Sequence, residues 1–204
     1  MRLRTLLLGA GAAVTGAALW WRRNPSACPY SQRFWVEAPH PFITRARLRE
    51  VLEPAPGERI LEVGPGTGYY TLDVAGWVGQ QGEIEILDIQ REMLDHTMDR
   101  ASERGLTNIG STQGDATALP YEDDGFDGAY LTTVLGEVPD QEAAVRELAR
   151  VLKPGGRLVV GELLGDPHYV TFGSLREKAG AAGLSLDRRS GSFLGYFARF
   201  AKPA

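Results

Sequence analysis

Ile60-Leu-Glu-Val-Gly-Pro-Gly-Thr-Gly68 is an apolar run that breaks into three alternating glycines, and Tyr69–Val78 after it has helical character. The run predicts a buried strand, the glycines a turn, and the whole a strand–turn–helix unit. Glycine at 64, 66 and 68 permits positive φ and lets backbone come close to a ligand. The helix start that follows presents N–H groups that no carbonyl of the helix can satisfy. A tight turn without a ligand is the alternative, but three alternating glycines are costly in chain entropy unless something must come close.

Outward from this unit the chain alternates. Strands are predicted at 59–63, 83–88, 109–113, 128–132 and 157–162, with helices at 69–78, 91–104, 141–152 and 171–182. Short apolar strands separated by helices predict parallel pairing with both sheet faces covered. Two final strands at 184–189 and 193–201 are joined by Ser190-Gly191-Ser192, short enough for a hairpin, so one of the pair runs antiparallel. The expected fold is an α/β, Rossmann-like three-layer sandwich. Its seven-stranded sheet is mostly parallel, with one antiparallel strand near the C-terminus. An earlier helical spacing at Ile43, Leu48, Val51 and Leu52 is closed by Pro54 and Pro56.

Composition narrows the chemistry. The 204 residues carry a formal charge of −4, while residues 1–23 hold four arginines and no acid, which leaves −8 on the remainder. An acidic domain without a basic cluster repels phosphate backbones, so no nucleic acid is expected as partner. One cysteine, Cys28, and three scattered histidines (40, 96 and 168) do not make a metal site.

A glycine-rich turn alone also suits a dinucleotide. Here the spacing is G-x-G-x-G, Glu62 precedes it, and Asp88 at the next strand end is placed to take a ribose diol or to cap the following helix. From residue 42 to 204 the chain resembles the class I S-adenosylmethionine-dependent methyltransferases, in the small-molecule branch that includes ubiquinone and menaquinone biosynthesis. Five motifs in register carry the resemblance: Glu62–Gly68, Leu87-Asp88-Ile89, Gly114-Asp115-Ala116 with Leu119-Pro120, Phe126–Tyr130, and Leu152–Gly156 before Leu158-Val-Val160.

The resemblance implies S-adenosyl-L-methionine as cofactor. It implies that Glu62, Gly64, Pro65, Gly66, Thr67 and Gly68 wrap its methionine end. Asp88 would take the ribose hydroxyls and Ile89 would pack on adenine. Asp115 and Ala116 would lie near the adenine amine, with Thr132 at the end of the fourth strand. Leu131-Thr132-Thr133-Val134 lacks the Asn/Asp-Pro-Pro-aromatic signature of amide- and adenine-methylating relatives. Methyl transfer from an activated sulfonium depends mostly on alignment. If the acceptor must lose a proton, Glu137 or His168 is the candidate base, with Tyr169 behind. A solvated or helix-capping glutamate and an exposed loop histidine without a role are the alternatives.

The first segment stands apart. Thr5–Trp21 is a 17-residue run without a charge, flanked by Arg2 and Arg4 and by Arg22 and Arg23. As a helix it would span about 25 Å, the lower limit for crossing a bilayer. A cleaved secretory signal or a buried helix would also fit, but the flanking arginines and terminal tryptophans favour a membrane anchor. The expected organisation is a hydrophobic N-terminal helix (1–23), a proline- and aromatic-rich linker or lid (24–41) and a methyltransferase domain (42–204). Tyr30, Phe34, Trp35 and Phe42 are the aromatics expected to cover a pocket that has no room for an insertion between Glu162 and Thr171. The expectation is a membrane-associated enzyme, its catalytic domain in the cytoplasm, methylating a lipophilic small molecule such as a quinone, phenol, lipid amine or thiol. A non-catalytic module binding S-adenosylmethionine or S-adenosylhomocysteine, or a nicotinamide-dependent oxidoreductase, are the alternatives.

Overall fold

Strands that are apolar on both faces belong in the middle of a sheet, and β1 (Arg59–Val63), buried from Ile60 onward, lies there. The computed structural model of the chain describes residues 25–37 and 40–204. The expected hydrophobic helix at 1–23 lies outside these residues. No helix among the described residues is long and apolar enough to cross a membrane.

β1 pairs in parallel with β2 (Glu83–Asp88) on one side and β4 (Phe126–Thr132) on the other. β3 (Ile109–Gln113) extends the sheet beyond β2, and β5 (Leu152–Leu163) extends it beyond β4, both in parallel. β7 (Gly195–Ala201) is antiparallel to both β5 and β6 (Ser185–Ser192), which closes the order β3-β2-β1-β4-β5-β7-β6.

The helices divide between the two faces. α1 (Arg45–Leu52), α2 (Thr71–Val78) and α3 (Arg91–Glu103) bury Leu48, Val51, Leu72, Val78 and Leu94 against Ile60, Ile84, Ile86, Tyr130 and Val159. α4 (Gln141–Val151) and α5 (Phe172–Ala181) bury Val145, Leu148 and Leu175 against Leu61, Val63, Leu131, Leu158 and Val160. Alternate strand residues thus feed opposite cores, giving three layers. Side-chain oxygens cap three of the helices: Thr44 accepts from Arg47 N at 3.2 Å, Asp140 from Ala143 N at 2.9 Å and Thr171 from Ser174 N at 3.3 Å.

Two expectations about boundaries are corrected. The Lys153–Gly156 turn is drawn into β5, because the register slips between Phe126 and Gly128 and Lys202 bonds in both directions to Gly155 and Gly156. The hairpin turn falls at Phe193-Leu194 rather than Ser190–Ser192. Gly191 stays in the ladder, since only a residue without Cβ fits against the Gly195 carbonyl there.

Candidate functional site

Residues at the carboxyl ends of β1, β2 and β4 converge on one cavity of about 300 Å³. Open parallel sheets bind ligands where neighbouring crossovers part, and here that is between β1 and β4. Gly64 leaves β1 with φ +69°, bonds through its N–H to Leu87 O at 2.8 Å, and has the methyl groups of Val134 where a Cβ would stand. Gly68 has φ +77° and would place a Cβ 2.9 Å from Thr97 Cγ2. α3 grips the loop between them. Thr97 Oγ1 donates to Gly66 O at 3.0 Å, and Arg100 donates to Thr67 O.

The cavity wall contains Gly64, Gly66, Asp88, Ile89, Asp115, Ala116, Thr132 and Glu137. Five other candidates lie elsewhere. Pro65, Thr67 and Gly68 lie off the wall and shape the loop from behind. Glu62 is buried beneath it, accepting the Thr71 hydroxyl and so tying β1 to the first turn of α2. His168 belongs to an adjoining cavity of about 290 Å³, lined also by Gly136, Gln141, Tyr169, Thr171 and Ser174. The two cavities share Pro25, Val138 and Pro139. His168 is buried rather than exposed, and its main-chain N–H donates to Asp166 Oδ1 at 2.7 Å.

The cover comes from the expected stretch but not from its aromatics. Pro25, Ser26, Ala27 and Cys28 line the main cavity, whereas Tyr30, Phe34 and Phe42 line neither. Proline at 25 and 29 keeps this stretch extended. The Tyr30 ring instead meets His96 edge-on at 6.0 Å and carries the Arg33 guanidinium at 4.7 Å. Gln90, beside the second motif, anchors the strap and lines the cavity, a role that its polar neighbourhood in the sequence did not signal.

The electrostatics are lopsided. Burial pushes Asp88 up to about 6, against the pull of the Gln90 and Ile89 N–H groups. Asp88 therefore serves the entry to α3 through Gln90 N, at 2.9 Å, without capping the helix itself. Burial, followed by the nearby Asp166 charge, pushes Glu137 up to about 8, although Cys28 N donates to its Oε2 at 3.2 Å. Burial raises Glu62 to about 7 against its bond from Thr71, and it drives Glu162 well above the carboxylate range. Among the described residues, no lysine or arginine forms an ion pair with Glu62, Asp88, Glu137, Glu162 or Asp166. Buried acids without a lysine or arginine partner disfavour their own charge and welcome a positive ligand. Thr132 Oγ1, on the wall, is buried with no partner, so the site also holds an unmet hydrogen-bonding group. Asp115 spends Oδ1 on the N–H and hydroxyl of Thr117, both at 2.8 Å. No group of three or more His, Cys, Asp or Glu among the described residues could hold a metal ion.

Among solved structures, an S-adenosylmethionine-dependent methyltransferase from Aquifex aeolicus superposes with TM-score 0.78 at 18% identity, covering 86% of this chain and 99% of that one. The [4+2]-cyclase SpnF superposes with TM-score 0.70 at 24% identity, covering 78% and 80%. At those identities the likeness establishes the fold alone, and the second shows one fold carrying another chemistry. Among curated proteins, the ubiquinone/menaquinone biosynthesis C-methyltransferase UbiE of Vibrio parahaemolyticus is 42% identical over 108 residues, 52% of this chain and 42% of the relative. UbiE of Shewanella oneidensis is 38% identical over 132 residues, 64% and 52% respectively. The chain thus spans about half the length of these relatives. The family model for ubiE/COQ5 methyltransferases matches residues 40–170, which hold β1 to β5 and the main cavity wall apart from Pro25–Cys28, so the chain belongs to the ubiE/COQ5 methyltransferase family.

Proposed function

We propose that this chain is an S-adenosylmethionine-dependent methyltransferase acting on a small lipophilic acceptor of quinone, phenol, lipid amine or thiol type. The observation that carries the reading is that Asp88, Asp115 and Glu137 line the glycine cradle with no lysine or arginine among its described lining residues. A sulfonium beside an ammonium suits such a cavity, whereas the two negative charges of a dinucleotide pyrophosphate would face Asp88 and Glu137 unpaired. That speaks against a nicotinamide-dependent oxidoreductase.

The residues present fit the cofactor. Gly64 and Gly66 offer backbone to the methionine end, with Pro65, Thr67 and Gly68 setting the turn and Glu62 fixing it from below. Asp88 takes the ribose hydroxyls, Ile89 and Ala116 pack on adenine, and the free Asp115 oxygen lies near its amine. Thr132 Oγ1 supplies one further hydrogen bond. When bound, the cofactor supplies an activated methyl group. The protein's part is to hold the acceptor in line and keep water out. The adjoining cavity supports a second ligand, which favours an enzyme over a non-catalytic S-adenosylhomocysteine-binding module. Glu137 and His168 lie on either side of the shared wall, where either could receive an acceptor proton. UbiE relatives act in ubiquinone and menaquinone biosynthesis, and an acceptor of quinone type is consistent with the small cavity. Residues 5–21, by their sequence, would hold the domain to a membrane with the catalytic part in the cytoplasm.

Calorimetry tests the donor. The full chain should bind S-adenosylhomocysteine and ignore NADH, and Gly64→Ala should abolish binding by driving its Cβ into Val134. Binding of NADH, or unchanged binding by Gly64→Ala, overturns the reading. Incubation of membrane extract with methyl-labelled donor identifies the acceptor, and label found only in protein would reject a small molecule.

A further inference from the structure

Turn tips are usually polar, because they face water, yet the β6–β7 turn puts Phe193 at its tip with 69% of its surface exposed. Leu164, just beyond β5, is 46% exposed and bonds through its N–H to Leu194 O at 3.0 Å, which sets it beside that turn. Phe42, 39% exposed, reaches the same place: a Cβ on Gly195 would stand 2.6 Å from Phe42 Cβ. Three large apolar side chains from three separate stretches therefore form one exposed patch. An arginine adjoins it, since the Arg47 guanidinium is held on the Phe42 carbonyl.

The patch lies at the carboxyl end of the sheet, where both cavities open. Tyr169, on the wall of the second cavity, donates its hydroxyl to Phe193 O at 3.2 Å. The chain also enters at this end. Pro25 belongs to both cavity walls, and Asn24 before it follows Trp20-Trp-Arg-Arg23, where the charge-free run ends. Aromatic side chains next to arginines are favoured where hydrocarbon meets anionic headgroups. A second protein copy would use the patch equally well but would not explain why it adjoins the cavity mouth and an arginine.

We propose that Phe42, Leu164 and Phe193 form a rim that dips into a lipid surface, turning the cavity mouths toward the bilayer from which a lipophilic acceptor would enter. The proposal rests on the reading of a membrane-held enzyme with such an acceptor, and it adds which face meets the lipid.

The test uses the full chain with Cys28→Ser and a single new cysteine at Phe193→Cys, at Leu164→Cys or, as control at the opposite sheet end, at Glu122→Cys. Each carries a fluorescent label and is mixed with vesicles of phosphatidylcholine and phosphatidylglycerol containing doxyl lipid. Labels at 193 and 164 should shift to the blue and be quenched about twofold or more, as expected of side chains buried several ångströms into the headgroup boundary, while 122 stays unchanged. Without vesicles, iodide should quench 193 and 122 alike. Vesicle-bound protein whose label at 193 stays in water, unshifted and unquenched, rejects the rim and leaves the membrane reading standing. Protein that does not float with vesicles rejects both. Protection of 193 from iodide without lipid means that another part of the chain or a second copy covers the patch, which also overturns the proposal. None of these readouts uses methyl transfer, so they stand or fall apart from the donor reading.

Discussion

The side-chain amide of Gln90 donates to the main-chain carbonyl of Cys28 at 2.9 Å while its oxygen accepts from Tyr30 N at 3.2 Å, so one side chain fixes the C-terminal end of the Pro25–Cys28 strap across the cavity. Cys28 N completes the attachment on Glu137. The strap is thus bonded to two cavity-lining side chains from distant parts of the chain.

Removing the Gln90 amide should loosen the strap without harming the core, since Gln90 is half-buried at the cavity wall and belongs to neither core cluster. Gln90→Ala is expected to weaken S-adenosylhomocysteine binding about 5- to 30-fold, the equivalent of one or two lost neutral hydrogen bonds. The melting temperature should change by no more than about 3 °C, as a loss outside the cooperative core. Calorimetric titration and a thermal melt check both. A large fall in melting temperature with intact affinity would make Gln90 structural.

How much of this was legible beforehand follows from what is local in sequence. The Glu62–Gly68 loop and Asp88 were legible because a strand, its turn and the next strand end follow one another at fixed spacing. That one of the last two strands runs antiparallel followed from the shortness of the link between them. The turn itself was misplaced, since Ser-Gly-Ser looks like a turn, whereas Gly191 is needed inside the strand for a close backbone approach. The strap was misjudged for a different reason. Aromatics look like lid residues by type, but the contact that seats the strap joins positions 62 apart and uses a backbone carbonyl, which no side-chain pattern reveals. His168 likewise reads as a loop residue in sequence, and is buried by contact of its backbone with Gly136.

The acids around the cavity give the donor a pH dependence whose sign can be worked out. Asp88 and Glu137, with values near 6 and 8, lose protons as pH rises, and each loss adds negative charge facing the ligand. S-adenosylmethionine has a sulfonium and S-adenosylhomocysteine a neutral thioether, so only the first should gain fully from that charge. The affinity of the former relative to the latter is expected to rise about 3- to 10-fold between pH 6 and pH 8, corresponding to a fraction of a pK unit up to about one unit of coupling. Glu137→Gln should flatten the upper half of that rise. Paired titrations at several pH values measure it, and a ratio that falls with pH would contradict a cofactor cavity lined by these carboxyls.

Glu62 offers a test on stability instead of binding. Burial raises its folded value to about 7 from the ordinary 4.5, so the folded chain holds a proton that the unfolded chain releases. Below about 4.5 both states are protonated and the acid costs nothing. As pH rises through 4.5 to 7 the unfolded state gains by ionising, and stability falls across that window. Gln at this position cannot ionise and can still accept the Thr71 hydroxyl through its carbonyl oxygen. Glu62→Gln should therefore leave the melting temperature at pH 4.5 nearly unchanged and raise stability at pH 8 by on the order of 1–3 kcal/mol. Because Glu62 supports the glycine loop from below without lining the cavity, S-adenosylhomocysteine affinity should fall no more than about threefold, less than one good hydrogen bond is worth. Urea unfolding at the two pH values, with calorimetry at pH 8, reads both quantities. A loss of stability at pH 8 would mean that the ionised carboxylate is held by the fold and that the loop is anchored by charge rather than by a shared proton.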